Sequence, residues 1–112
     1  MNKYIIQDDP PAIMVNPSGF DADVAQVFKE AEVLLLRKHA DYGPKNIANA
    51  PGGPLMGLAV RLHDKLARIT HLLETGATPN NEALRDTFMD GANYNLIGVL
   101  ILDGKWPGVD KQ

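Results

Sequence analysis

The chain has 112 residues, 45% of them hydrophobic, which suits one domain with a single modest core and excludes two. A formal net charge of -3 leaves no overall basic field, so a large duplex nucleic-acid footprint is excluded and any anion site must be local. There is no cysteine, which excludes disulfides, thiolate catalysis and zinc–sulfur centres and accords with a reducing interior.

Residues 1–20 read as an N-terminal arm. A short extended piece at Tyr4-Ile5-Ile6 is followed by Asp8-Asp9-Pro10-Pro11, a second apolar stretch at residues 12–15, and Asn16-Pro17-Ser18-Gly19. Proline and glycine stop regular structure there, and such an arm is either frayed or pinned against a neighbouring subunit, with the alternating apolar residues favouring pinning. The N-terminus shows no basic-then-apolar signal pattern, and the longest apolar run, residues 96–102, is too short to span a bilayer. A soluble, cytoplasmic protein is expected.

The first helix is predicted to start at Asp21 or Asp23, either of which can cap free backbone N–H groups, and to reach about His39. Val24, Val27, Phe28, Ala31, Leu34 and Leu35 recur at helical spacing and form its predicted buried stripe. Projected forward, that stripe places Lys38 near its centre and Tyr42 in line with it. An inward lysine either snorkels to water or lines an anion pocket. Residues 42–54 read as a loop, in which Gly43-Pro44 and Pro51-Gly52-Gly53-Pro54 make turns while Lys45 and Asn46 are within reach of a ligand.

The second helix is predicted over residues 55–74, with Leu55, Leu58, Ala59, Leu62, Leu66, Ile69 and Leu73 as its apolar face. Arg61, Lys65 and Arg68 fall at i, i+4 and i+7 and form a cationic row along the edge of that face, beside Asp64. Such a row either lines a cleft or is a solvated flank, with Asp64 and Arg68 as an ordinary i,i+4 pair. His63 and His71 lie off the row and read as surface residues. The third helix is predicted over residues 81–102, capped by Asn80 or Asn81. Its Glu82, Asp86, Asp90 and Asn93 share a stripe that continues into Ile97 and Ile101, so these polar groups are expected to face protein or a cleft. Gly91 and Gly98 share another face and read as packing positions, and Trp106-Pro107 as a hydrophobic clasp at the domain edge.

The expected fold is therefore all-α: a compact bundle of three main helices over residues 21–112, with an extended N-terminal arm. The last helix is apolar on every side at its end, which predicts a homo-oligomer. The second and third helices should form an antiparallel hairpin. Across it the cations either hold a phosphorylated ligand or simply neutralise Glu82, Asp86 and Asp90 as an internal ion-pair network. Alternatively Asp86 and Asp90 hold Mg2+ for attack on a phosphoanhydride, with Glu82 as base. That reading lacks a second carboxylate pair, because Glu30 and Glu32 are two apart and cannot both enter one site.

Three ordered blocks carry a resemblance: residues 37–46 (Arg-Lys-His-Ala-Asp-Tyr-Gly-Pro-Lys-Asn), 61–68 (Arg-Leu-His-Asp-Lys-Leu-Ala-Arg) and 86–94 (Asp-Thr-Phe-Met-Asp-Gly-Ala-Asn-Tyr). They resemble the nucleotide-modification-associated domain family, first type, found widely in phages and prophages. The resemblance covers roughly residues 32–102. It implies a helical domain handling nucleotides in a bacterial host cell, and points to Lys38, Asp41, Tyr42, Asn46, Arg61, Asp64, Lys65, Arg68, Asp86, Asp90 and Asn93. A weaker resemblance runs to the all-helical nucleoside-triphosphate pyrophosphohydrolases, through the acidic third helix and its apolar half. Their Glu-x-x-Glu on an earlier helix is absent here.

The leading expectation is a phage-type binder of a small phosphorylated nucleotide, able to sequester a nucleotide signal of host defence and needing no cofactor. Lys38, Arg61, Lys65 and Arg68 would hold phosphates, Tyr42 would stack on or hydrogen-bond the base or sugar, and Asp41, Asp86, Asp90 and Asn93 would orient those cations or read polar ligand edges, with Lys45, Asn46 and Asp64 as further candidate ligand contacts. The alternatives are a Mg2+-dependent pyrophosphohydrolase of normal or modified deoxynucleotides, with Asp86 and Asp90 on the metal, and an interaction module whose charges only pair internally.

Overall fold

The computed structural model describes residues 19–112 and is helical throughout its regular parts, with no strand among those residues. Four helices follow one another: α1 at Phe20–Tyr42, α2 at Lys45–Ala48, α3 at Pro54–Thr75 and α4 at Leu84–Leu102. None of them is long and apolar enough to cross a membrane. The predicted N-terminal arm lies outside the described residues, apart from Gly19 and Phe20 at its end. Backbone contacts divide the chain into two units, 1–33 and 34–112, with the division falling inside α1.

In the first unit α1 is a solvated helix carrying Gln26–Glu30 and Lys29–Glu32 side-chain pairs. The predicted buried stripe is only partly realised. Ala31 is buried, but Val24, Val27 and Phe28 are exposed, Phe28 by 65%. Helical spacing identifies a stripe; it does not supply the surface that covers it.

The second unit begins with the last turns of α1, which run to Tyr42, three residues past the predicted end. Gly43, at φ 71°, closes the helix in the left-handed region and donates its N–H to the His39 carbonyl at 2.8 Å. The predicted loop then contains the single-turn helix α2, whose Ile47 is buried. Gly52 and Gly53, at φ 85° and 100°, turn the chain into Pro54 at the start of α3. Gly76 ends α3 in the left-handed conformation with its N–H on the Leu72 carbonyl.

α4 begins at Leu84, later than predicted, and neither Asn80 nor Asn81 caps it. Ala83 is its extended N-cap residue, without a side-chain cap. Arg68 donates to the Glu82 carbonyl and the Thr87 hydroxyl donates to the Glu82 carboxylate at 2.6 Å. These bonds hold residue 82 in a non-helical position, so the helix starts after it.

α3 and α4 form the predicted antiparallel hairpin. Arg68 meets Thr87, Lys65 meets Asp90, Arg61 lies over Tyr94, and Leu58 approaches Gly98. Steps back along α3 are matched by steps of the same or nearly the same length forward along α4. The end near the turn is polar, and the opposite end holds the core. Ile47, Leu58, Ile97, Ile101 and Trp106 are packed together there, with Leu35, Tyr94 and Leu100 against them, and Ile101 is fully buried. Trp106 belongs to this core and is not a clasp at the edge.

The chain reaches it through a helix end closed by Gly104 at φ 72°, where the Lys105 N–H donates to the Leu100 carbonyl.

Candidate functional site

A cleft of about 260 Å³ opens between the end of α1, the segment after it, and the inner faces of α3 and α4. Its base carries Asp90 and Asn93, both buried, and its sides carry Lys38, Tyr42, Asn46, Arg61 and Tyr94. His39 and Trp106 complete one wall, their rings in edge-to-face contact at 5.1 Å.

Asp90 organises the charges. Its carboxylate, on a side chain only 9% exposed, accepts from the Lys38 ammonium at 3.1 Å on one oxygen and pairs with the Lys65 ammonium at 3.0 Å on the other. Lys38 is half exposed, so its head sits at the rim of the cleft. Arg61 donates to the Asn46 carbonyl at 3.2 Å and its guanidinium stands 5.9 Å from the centre of the Tyr94 ring. The cleft lining thus holds two cations and one anion in a chain of net charge -3, and the anion is shared with a third cation outside.

Nearer the turn, the rest of the cationic row is engaged in an internal network. Lys65 also reaches Glu82 at 3.4 Å, and Arg68 contacts Glu82 at 3.7 Å and donates to the Thr87 hydroxyl. Burial lowers the Lys65 pKa, but hydrogen bonds and charge from Asp90 and Glu82 together outweigh it, leaving the group above 10.5. That stability is fully present below the unfolded value and is lost as pH rises through the raised one.

The Thr87 hydroxyl is the largest cause holding Glu82 below its ordinary 4.5, aided by Lys65 against burial and Asp90. A carboxylate so paired is a poor general base. Its stabilising contribution is present above the unfolded value and is lost as pH falls through the depressed one. Thr87→Val should therefore lower the melting temperature at pH 7, and the gap from wild type should narrow on acidification through the Glu82 titration. A gap that stays constant from pH 7 to pH 3 would refute this role of the hydroxyl.

Of the predicted residues, Lys38, Tyr42, Asn46, Arg61, Asp90 and Asn93 line the cleft. Lys65 and Arg68 stand beside it in the network, with Arg68 turned to Glu82 and Thr87. Asp41, Lys45, Asp64 and Asp86 are exposed and not among the lining residues, and His63 and His71 are exposed as expected. His39 and Trp106 line the cleft although the sequence reading assigned them no role there.

Magnesium does not fit the residues present. Asp90 is already balanced by two ammonium groups, Asp86 is exposed, and no three His, Cys, Asp or Glu residues are grouped for a metal among the described residues. No family model, no curated protein and no solved structure matches this chain.

Proposed function

We propose that the cleft binds a small phosphorylated nucleotide and that the protein acts by holding it, as a phage-type sponge for a nucleotide signal would. One observation carries this reading: residues from all three sequence blocks, Lys38, Tyr42 and Asn46, then Arg61, then Asp90, Asn93 and Tyr94, line a single cleft. Lys38 and Arg61 supply charge-assisted donors for phosphate from two different helices. Tyr42 and Tyr94 supply flat apolar faces for a base or sugar, and Asn46 and Asn93 bring amide edges for polar recognition. The cleft is at the small end of ligand pockets, which run from roughly 300 Å³ upwards, so it suits one nucleotide unit.

Calorimetric titration with nucleoside mono- and diphosphates, cyclic dinucleotides, cyclic trinucleotides and ADP-ribose derivatives tests the proposal, the larger ligands entering the cleft by one nucleotide unit. Lys38→Ala and Arg61→Ala should each weaken binding by about 10-fold or more, the loss expected for one charged hydrogen bond. Arg68→Ala should leave affinity unchanged and lower the melting temperature. Absence of binding across the panel would end the proposal.

The Lys65–Glu82–Arg68 network favours a second reading, an interaction module whose charges serve only the fold. Under that reading Arg61→Ala also lowers the melting temperature and no nucleotide binds.

A further inference from the structure

On α3, Leu55, Ala59, Leu62, Leu66, Ile69 and Leu73 are spaced 4, 3, 4, 3, 4, the alternation of a heptad seam. Among the described residues this seam is largely uncovered: Leu66 is 62% exposed and Leu73 66%. α4 has a comparable row in Leu84, Phe88, Gly91, Asn95 and Leu102, with Phe88 55% exposed. Gly91 sits in it like a recess, since a Cβ built there would meet nothing within 4 Å.

The two rows are neighbours on one face. Arg61, Lys65 and Arg68 mark the line along which α3 meets α4, and Thr87, Asp90 and Tyr94 mark the matching line on α4. At 100° per residue each apolar row is displaced from its line by about a quarter-turn, in the same rotational sense. In an antiparallel pair, equal displacements of one sense fall on the same side. Asn93, at the base of the cleft, is displaced the other way.

We propose that this face of the α3–α4 hairpin is the self-association surface, on which the same face of a second copy packs to complete a four-helix bundle. A 4-3 repeat sustained over 19 residues selects another α-helix as partner, because only a helix presents knobs at that period. The two rows are uncharged, and their one polar side chain, Asn95, already donates to the Gly91 carbonyl, so a two-fold arrangement of identical faces buries mainly apolar surface with no charge left unpaired.

The area is sufficient. Helices of 22 and 19 residues, at about 1.5 Å per residue and about 10 Å wide each, present roughly 600 Å² of projected face. Two such faces reach about 1,200 Å², the lower bound of a specific interface. Phe88 and Leu66 are the anchors, and the recess at Gly91 admits a knob from the partner helix.

Sedimentation equilibrium of the full chain at micromolar concentration should give at least twice the chain mass. Leu66→Glu combined with Leu73→Glu should weaken association by about 100-fold, as expected when one anchor is lost and two charges enter an apolar seam, with helical circular dichroism retained. Because that variant can fail to fold alone, single cysteines in this cysteine-free chain provide a second measurement. A spin label at Phe88→Cys should be immobilised, and one at the exposed His71→Cys, off the seam, should move freely. Wild-type chain sedimenting at its single mass, or a label at residue 88 as mobile as at residue 71, would overturn the proposal. Nucleotide titration reports on the cleft separately, because no seam residue lines it.

Discussion

Trp106→Ala should unfold the protein at a markedly lower denaturant concentration, with a loss of about 3–5 kcal/mol, the usual cost of removing a buried tryptophan. The residue is 6% exposed and stands in one cluster with Ile47, Leu58, Ile97 and Ile101. Its indole N–H donates to the Pro44 carbonyl at 3.1 Å, across 62 residues of sequence, and its ring meets that of His39 edge to face. One side chain therefore ties together the C-terminal tail, the start of α2, the end of α1 and the α3–α4 hairpin.

In a core this small, the loss is a large share of a typical total of about 5–15 kcal/mol. Trp106→Phe should recover most of it, keeping the ring and giving up one hydrogen bond, about 1 kcal/mol. Urea denaturation checks both variants. A Trp106→Ala midpoint close to wild type, with an unchanged slope, would show that the tail packs passively on a core complete without it.

Local signals carried much of the fold into view. The 3.6-residue period in α3 and α4, with Pro54 and Gly76 bounding α3 and Gly104 following α4, determines where α3 runs and where α4 ends. What escapes the sequence is long-range. The start of α4 is decided by Arg68 and Thr87 reaching residue 82, so a cap search at Asn80 and Asn81 had no access to it. The cationic row shows the same limit. Arg61, Lys65 and Arg68 share one edge, but seven residues of helix separate its ends by about 10 Å. That distance carries the row from the cleft at Arg61 to the turn-side network at Arg68.

Lys38 and Tyr42 were legible as cleft residues because the α1 stripe, extended past its last leucine, projects onto them, whereas Asn46 was legible only as a loop residue within reach and through the resemblance. Trp106 was not, because nothing local indicates which wall a tryptophan after the last helix will join.

Asp90→Ala should cost about 2–4 kcal/mol, less than the roughly 3–5 kcal/mol of a fully buried pair broken from one side, because it removes the shared partner of two ammonium groups while Glu82 still faces Lys65. Lys65 bears most of that penalty, since its side chain is only 21% exposed, whereas Lys38 is half exposed and returns to water. If desolvation is the cause, replacing both partners, Asp90→Leu with Lys65→Met, should restore much of the stability lost by Asp90→Ala.

The same residue separates anion binding from metal chemistry. Asp90→Asn keeps the shape of the cleft and removes its one negative charge, leaving Lys38 and Arg61 facing any ligand. A cleft that holds phosphate through these cations should then bind its nucleotide as tightly as wild type or more tightly, as read by calorimetry at fixed ionic strength. A loss of 10-fold or more on Asp90→Asn, in a variant shown to be folded, would mean that the carboxylate itself contacts the ligand or a metal. The assignment of phosphate to Lys38 and Arg61 would then fail.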